Sequence, residues 1–297
     1  MDNEYRLVDN RRFQSTVGDT AAVEGFGYWT GRDIRVEFRP AEPDTGIVFV
    51  RRDLSGNPRI AAVVENRVDT PLRTSLRVGE ACVDMVEHIL SSLGGLDIDN
   101  CEVWVDQPEM PGCDGSSLPF VAAIDSVGRV LQDSPRKQID VTGYLCDCEG
   151  PARIEARPNA GGDLQLEYHL DYPGTAIGRQ HYKLTITPEN FRRELAPSRT
   201  FLLREEAERL QTQGLGRRAS FRDLLVYDQR GPIDNVLRFE NECVRHKLLD
   251  LVGDLTMVGG SLSGTFSAWR SGHHLNARMV RTLLNQEIID REYRRCA

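Results

Sequence analysis

The chain has 297 residues, of which 40% are hydrophobic and 28% charged, and a formal net charge of −8. That length accommodates one large domain or two ordinary ones with real cores, in a composition typical of soluble globular proteins. The acidic balance argues against nucleic-acid binding, so an anionic small-molecule substrate would need positive charge gathered locally.

The opening stretch, "MDNEYRLVDNRRF", lacks the apolar core of a secretory signal. No run approaches the roughly 20 apolar residues of a membrane span. A cytoplasmic chain with no stable membrane insertion is expected, and it is taken to be a monomer. Strands follow at "AAVEGFGYW", "IRVEFRP" and "GIVFVRR", the alternation in "IRVEF" fitting a half-buried antiparallel strand. Residues 83–94, "VDMVEHILSSLG", read as a helix ended by glycine. "NCEVWVDQ" reads as a strand, "PEMPGCDGSS" as a turn-rich loop and "LPFVAAIDSVG" as a second helix. The polar stretch "LQDSPRKQ" at 131–138 reads as a domain boundary, giving domains 1–134 and 135–297. The pattern then restarts, with strands at "IDVTGYLCD", "ARIEARP", "LQLEYHLDY" and "HYKLTIT" and helices at 203–213, 241–256 and 274–290. Strands then helices, twice over, predict two α+β domains of similar plan. The seven cysteines (Cys82, Cys101, Cys113, Cys146, Cys148, Cys243 and Cys296) form no CxxC pair. Free buried or half-buried thiols are expected, and a zinc ribbon is not supported. In "CDC" the two thiols would share one face of a strand.

Chemistry concentrates around three of the six histidines. His246, Asp250 and Asp254 stand at steps of four along "RHKLLDLVGD" and so share a helix face. His246 and Asp250 could grip one metal ion, with His88 the best third ligand and one position left for water, as in a catalytic zinc site. Glu87, the neighbour of His88, points about 100° away from it, where a general base could reach a metal-bound water. "SGHHLN" places His273 at the glycine-marked start of a helix. Taken singly, these pieces have plainer readings. A His/Asp pair one turn apart is commonly only hydrogen-bonded. "VEHIL" alone is an amphipathic helix, His273 alone a hydrogen-bonded or exposed histidine, and "DGSS" a turn.

Together, "VEHILSSLGGLDIDN", "PEMPGCDGSSLPFV", "SRTF", "RFENECVRHKLLDLVGDL" and "SGHHLN" resemble, in order and spacing, the zinc-dependent UDP-3-O-acyl-N-acetylglucosamine deacetylases of lipid A biosynthesis. The resemblance covers about residues 11 to 290. It implies two domains, each a β-sheet layered with two helices, with the helix layers facing each other around the active site. It implies a Zn2+ ion on His88, His246 and Asp250, with Glu87 as the base. It implies His273 as the cation that stabilises the oxyanion and protonates the leaving amine. Asp254 would orient His273, Thr200 would donate to the oxyanion, and Lys247 would contact substrate. An insert at about 200–230 would form the acyl-chain passage, with Phe201, Leu202, Leu210, Leu215 and Phe221 lining it, joined by Leu224 and Val226. The implied reaction hydrolyses the N-acetyl group and releases acetate.

The chain also departs from the family pattern. Trp29, in "GFGYWTG", stands where the family has histidine, and Met85 where it often has threonine before "VEH". Thr142 stands near the position of a substrate-binding lysine in some members. Arg217 and Arg218, in "GLGRRASF", are cations in a segment expected to be apolar. They either face solvent with their stems covering apolar surface, or they change or block the passage. Two other functions stay open: an amidase for a different N-acetylated sugar nucleotide, and a non-catalytic binder that keeps the fold.

Overall fold

The structure, a computed structural model, describes residues 12–296, with side chains described as far as residue 286. The opening stretch 1–11 and the side chain of Cys296 lie outside the described residues. The architecture is α+β and built twice on one plan. In the first half, the hairpin of Ala21–Phe26 and Asp33–Pro40 and the hairpin of Ile47–Arg51 and Arg59–Ala61 flank a central strand, Cys101–Val105. That strand runs antiparallel to Asp33–Pro40 and parallel to Ile47–Arg51. In the second half, the hairpins Leu145–Glu149/Ala152–Arg157 and Leu164–Tyr172/Gly178–Thr185 flank Ser261–Trp269. Ser261–Trp269 is likewise antiparallel to its first neighbour and parallel to its second.

Each central strand lies between two helices in sequence. Helix α1 (Glu87–Gly95) precedes Cys101–Val105 and α2 (Leu118–Val127) follows it. After the short α3 (Pro188–Asn190) and α4 (Arg204–Thr212), helices α5 (Glu242–Thr256) and α6 (His273–Cys296) flank Ser261–Trp269 in the same way. The two α+β units of similar plan expected from element order are therefore present. Strand parity explains the layering. In Leu164–Tyr172, Leu166, Tyr168 and Leu170 are buried towards the helices while alternate residues face outward.

Helices α1 and α5, equivalent in the two halves, pack against each other at the centre, and glycine permits the approach. A Cβ on Gly253 would lie 2.2 Å from the Glu87 carbonyl oxygen, and one on Gly94 2.1 Å from Thr256 Oγ1. The chain enters α1 through Met85, whose φ of +60° turns it sharply out of the strand Ala81–Asp84.

Locally, the structure differs from the sequence reading. The helix expected at 83–94 begins only at Glu87, because Val83 and Asp84 finish a strand paired with Leu76 and Ser75. The polar stretch 131–138, read as a domain boundary, is taken up in paired strands. Arg129–Pro135 pairs with Phe13–Val17 and Gln138–Asp140 pairs with Ser261–Ser263. Strand Ser261–Trp269 has no counterpart in the sequence reading, since its serines and glycine mask the period. The described cysteines are all free as expected, but Cys146 and Cys148 are exposed rather than buried. They share a strand face, their sulfurs 3.7 Å apart.

Candidate active site

His88 rises from α1 and His246 and Asp250 from α5, so the tight helix pair brings the two halves' ligating groups together. His246 Nε2 stands 3.3 Å from Asp250 Oδ1, and His88 Nε2 stands 3.8 Å from the same oxygen. Ligand atoms on a tetrahedral zinc with bonds near 2.0–2.1 Å stand about 3.4 Å apart, so the trio is spaced to share one ion. All three side chains are buried. His246 Nδ1 donates to the Ser198 carbonyl at 3.1 Å, which fixes the ring with Nε2 facing inward. Burial, reinforced by the neighbouring His246, pushes His88 down to about 3, and burial also lowers His246. Both rings are thus neutral, the form that binds metal. Burial alone would raise Asp250, but Lys247 and the histidines overcome it and hold the carboxylate far below its ordinary range. Two imidazoles and a carboxylate suit zinc and also accept iron or cobalt.

Glu87 is buried beside this trio, and its Oε2 accepts the Thr74 backbone N–H at 2.9 Å. Burial, with Asp250 nearby, outweighs the pull of His273 and raises the carboxyl to about 7. His273 Nδ1 donates to Asp254 Oδ2 at 2.9 Å. Asp254 is itself held by Thr74 Oγ1 at 2.6 Å and Asn276 Nδ2 at 2.8 Å. Burial would lower His273, but Asp254, with Glu87 and Asp250 behind it, raises it to about 9. Two titratable groups, both raised by their surroundings though for different reasons, therefore face one cluster. Lys247 Nζ donates to Asp250 Oδ2 at 2.7 Å, so this cation braces the Asp250 carboxylate as well as facing the cavity.

Glu87, His88, His246, Lys247, Asp250 and His273 line a cavity of about 600 Å³ together with Thr200, Phe201, Leu202, Leu210, Leu215 and Phe221, while Asp254 lies fully buried behind His273. Leu224 and Val226 line it too. The insert expected at about 200–230 consists of strand Phe201–Leu203, α4 and strand Leu225–Tyr227, the strands paired in parallel. Neither Arg217 nor Arg218 lines the cavity, and both are exposed. Arg218 reaches outward to Asp33 at 2.6 Å and lies over the Phe26 ring, fastening the insert to the first sheet. Trp29 lines the cavity under the Arg73 guanidinium, 4.3 Å from its ring centroid. Thr142 is away from the cavity and accepts a hydrogen bond from Gln286. A larger cleft of about 840 Å³ elsewhere is lined by already paired charges such as Arg136 with Asp97 and Asp99, and by no histidine.

Several supporting residues escape a reading of the sequence. Thr74 ties Glu87 to Asp254 and carries no local signal. Arg199 and Glu242 form a buried ion pair, 2.8 Å from Nε to Oε1, with Arg199 also held by Asn235 and the Val236 carbonyl. This pair anchors the loop that presents the Ser198 carbonyl and Thr200. Both residues lie in the quoted "SRTF" and "RFENECVRH" stretches, so the motif flagged them without giving their job.

Fold and site define an α+β protein with a candidate metal centre between two similar halves, in a cavity with apolar walls. The model of the LpxC family, UDP-3-O-acyl N-acetylglycosamine deacetylase, matches residues 14–285, and the chain belongs to that family. The UDP-3-O-acyl-N-acetylglucosamine deacetylase of Brucella ovis is 39% identical over 277 residues, covering 93% of this chain and 96% of that protein. The protein of the same name from Syntrophotalea carbinolica is 36% identical over 273 residues, covering 92% of this chain and 88% of its own. Among the described residues no helix is long and apolar enough to cross a membrane.

Proposed function

We propose that this protein hydrolyses the N-acetyl group of UDP-3-O-(3-hydroxyacyl)-N-acetylglucosamine, an early step of lipid A biosynthesis, with zinc on His88, His246 and Asp250. The observation that carries this reading is the meeting of that trio, the Glu87 carboxyl and His273, backed by Asp254, at one cavity with apolar walls. When bound, zinc supplies Lewis-acid polarisation of the acetamide and a water of lowered pKa. Glu87 takes the proton of the attacking water as oxygen bonds to the acetyl carbon. The protonated His273 and the Thr200 hydroxyl stabilise the developing oxyanion. His273 then protonates the nitrogen, the C–N bond breaks, and acetate leaves. Asp254 keeps His273 charged and aimed, and Lys247 offers positive charge to the anionic substrate. Phe201, Leu202, Leu210, Leu215 and Phe221 receive the acyl chain. The same proposal divides the chain into 1–134 and 135–297 and places a monomer in the cytoplasm.

The decisive experiment is acetate release by the zinc-loaded protein from the 3-O-hydroxyacyl sugar nucleotide, with Glu87→Ala as control. Turnover is expected on the acylated substrate, far less on plain UDP-N-acetylglucosamine, and almost none in the variant. Equal turnover of both substrates would overturn the substrate assignment.

A further inference from the structure

The second half carries another cluster of ligating groups, on the sheet face turned away from the helices. Glu167 and His169 alternate on strand Leu164–Tyr172, and His181 stands directly opposite His169 on Gly178–Thr185. Residues two apart on a strand and a direct cross-strand partner share one face. On the other face of Leu164–Tyr172, Leu166, Tyr168 and Leu170 are buried, so the sheet separates this cluster from the catalytic trio. His181 Nε2 lies 2.7 Å and His169 Nε2 3.2 Å from one oxygen, Glu167 Oε1. All three ligand atoms lie within 4.8 Å of one another.

The surroundings hold this trio in place. His169 stacks on Trp269 with centroids 4.8 Å apart and planes 3° from parallel, and the Arg153 guanidinium covers the Trp269 ring. Arg153, Trp269, His169 and His181 form one row across four adjacent strands. Ser267 Oγ donates to the other Glu167 oxygen at 3.3 Å, which turns Oε1 towards the imidazoles. The side chains are 34% (His169), 23% (Glu167) and 50% (His181) exposed, so an ion can enter and water can complete its shell.

We propose that Glu167, His169 and His181 form a second metal site, for a divalent ion of the zinc type. Two imidazoles and a carboxylate, with water in the fourth position, match the ligand preference of zinc and of cobalt or nickel. The bound ion links Gly178–Thr185, the last strand of its sheet, to its neighbour, so it acts as a clasp on that edge.

Equilibrium dialysis of the full chain against micromolar zinc tests this. The wild type is expected to hold two ions, His181→Gln one and His246→Ala one. Glu167→Gln provides a second way to empty the site. Deacetylation by His181→Gln should match the wild type, which confirms that it is folded. Ser267→Ala is expected to weaken the second ion roughly tenfold or more. Zinc should also slow amide exchange across 178–185 in His246→Ala but not in the double variant with His181→Gln. Equal zinc content in wild type and His181→Gln would overturn the proposal. Should the catalytic assignment alone be wrong, the wild type holds one ion that His181→Gln loses and His246→Ala keeps.

Discussion

Glu87 and His273 illustrate how burial and one neighbour set a residue's task. Glu87 is buried and His273 half-buried against the same cluster, yet Glu87 is raised by the loss of water while His273 is raised by Asp254 against that loss. The rate should fall in acid as Glu87 gains a proton and in base as His273 loses one near pH 9. A dication bound beside Glu87 favours its ionised form, so the acid limb should lie below the value of about 7 set by burial. The pH–rate profile of the zinc enzyme checks both limbs, and a basic limb that persists in His273→Ala would contradict the assignment. Glu87→Gln should lower kcat by roughly 10²–10⁴ while keeping its zinc. The same change should stabilise the metal-free protein. A carboxyl raised in the folded state binds more protons there than in the unfolded chain, so stability is lost between the unfolded value of 4.5 and about 7. Above pH 7 the metal-free variant should therefore melt higher than wild type, by up to roughly 3 kcal/mol at 1.36 per pKa unit. An unchanged melting point there would show that Glu87 carries no such penalty.

At the scale of elements, the site depends on how closely α1 and α5 approach. Gly253 has no helical reason to be glycine, since it sits inside α5 and costs about 1 kcal/mol relative to alanine. Its reason lies across the interface, where the Glu87 backbone occupies the space of a side chain. Gly253→Ala should push α1 outward, costing about 1–3 kcal/mol from overpacking. Because α1 carries both His88 and Glu87, kcat/KM should fall roughly 100-fold, as small misplacements do. Thermal melting and turnover of this one variant give both numbers, and retention of wild-type activity would mean that the helices can slide without disturbing the trio. From the sequence, the polar row of His246, Asp250 and Asp254 is legible because it rests on the helical period alone. The partner of Gly253 is not, because residue 87 is remote in sequence and only packing brings it there.

At the scale of the molecule, the insert between Phe201 and Tyr227 walls the cavity with apolar side chains. It leans on the first sheet through Arg218 and Asp33 and on the second half through Phe201, whose ring lies 5.7 Å from that of Tyr172. Leu210→Trp should narrow the passage and shift preference to shorter acyl chains, read as kcat/KM across a series of chain lengths. Arg217→Ala, at an exposed position off the cavity, should leave that series unchanged. A change in the Arg217→Ala series would return that arginine to the passage. Chelation should abolish turnover and added zinc restore it, and activity that survives complete metal removal would refute the metal reading.

The sequence by itself determined the class of fold, the repeat of strands then helices, and the residues that meet at the site, because periodicity and motif spacing are local properties of the chain. It could not find the central strand Ser261–Trp269, whose place between two hairpins comes from pairing rather than pattern. It also left Arg217 and Arg218 with two readings; the structure places both at exposed positions off the cavity lining. Thr74, Arg199 and Glu242 acquired their roles only from the tertiary structure. The hydrogen bonds of Thr74 and the buried Arg199–Glu242 pair join segments far apart in the chain, and folding alone brings those segments within reach.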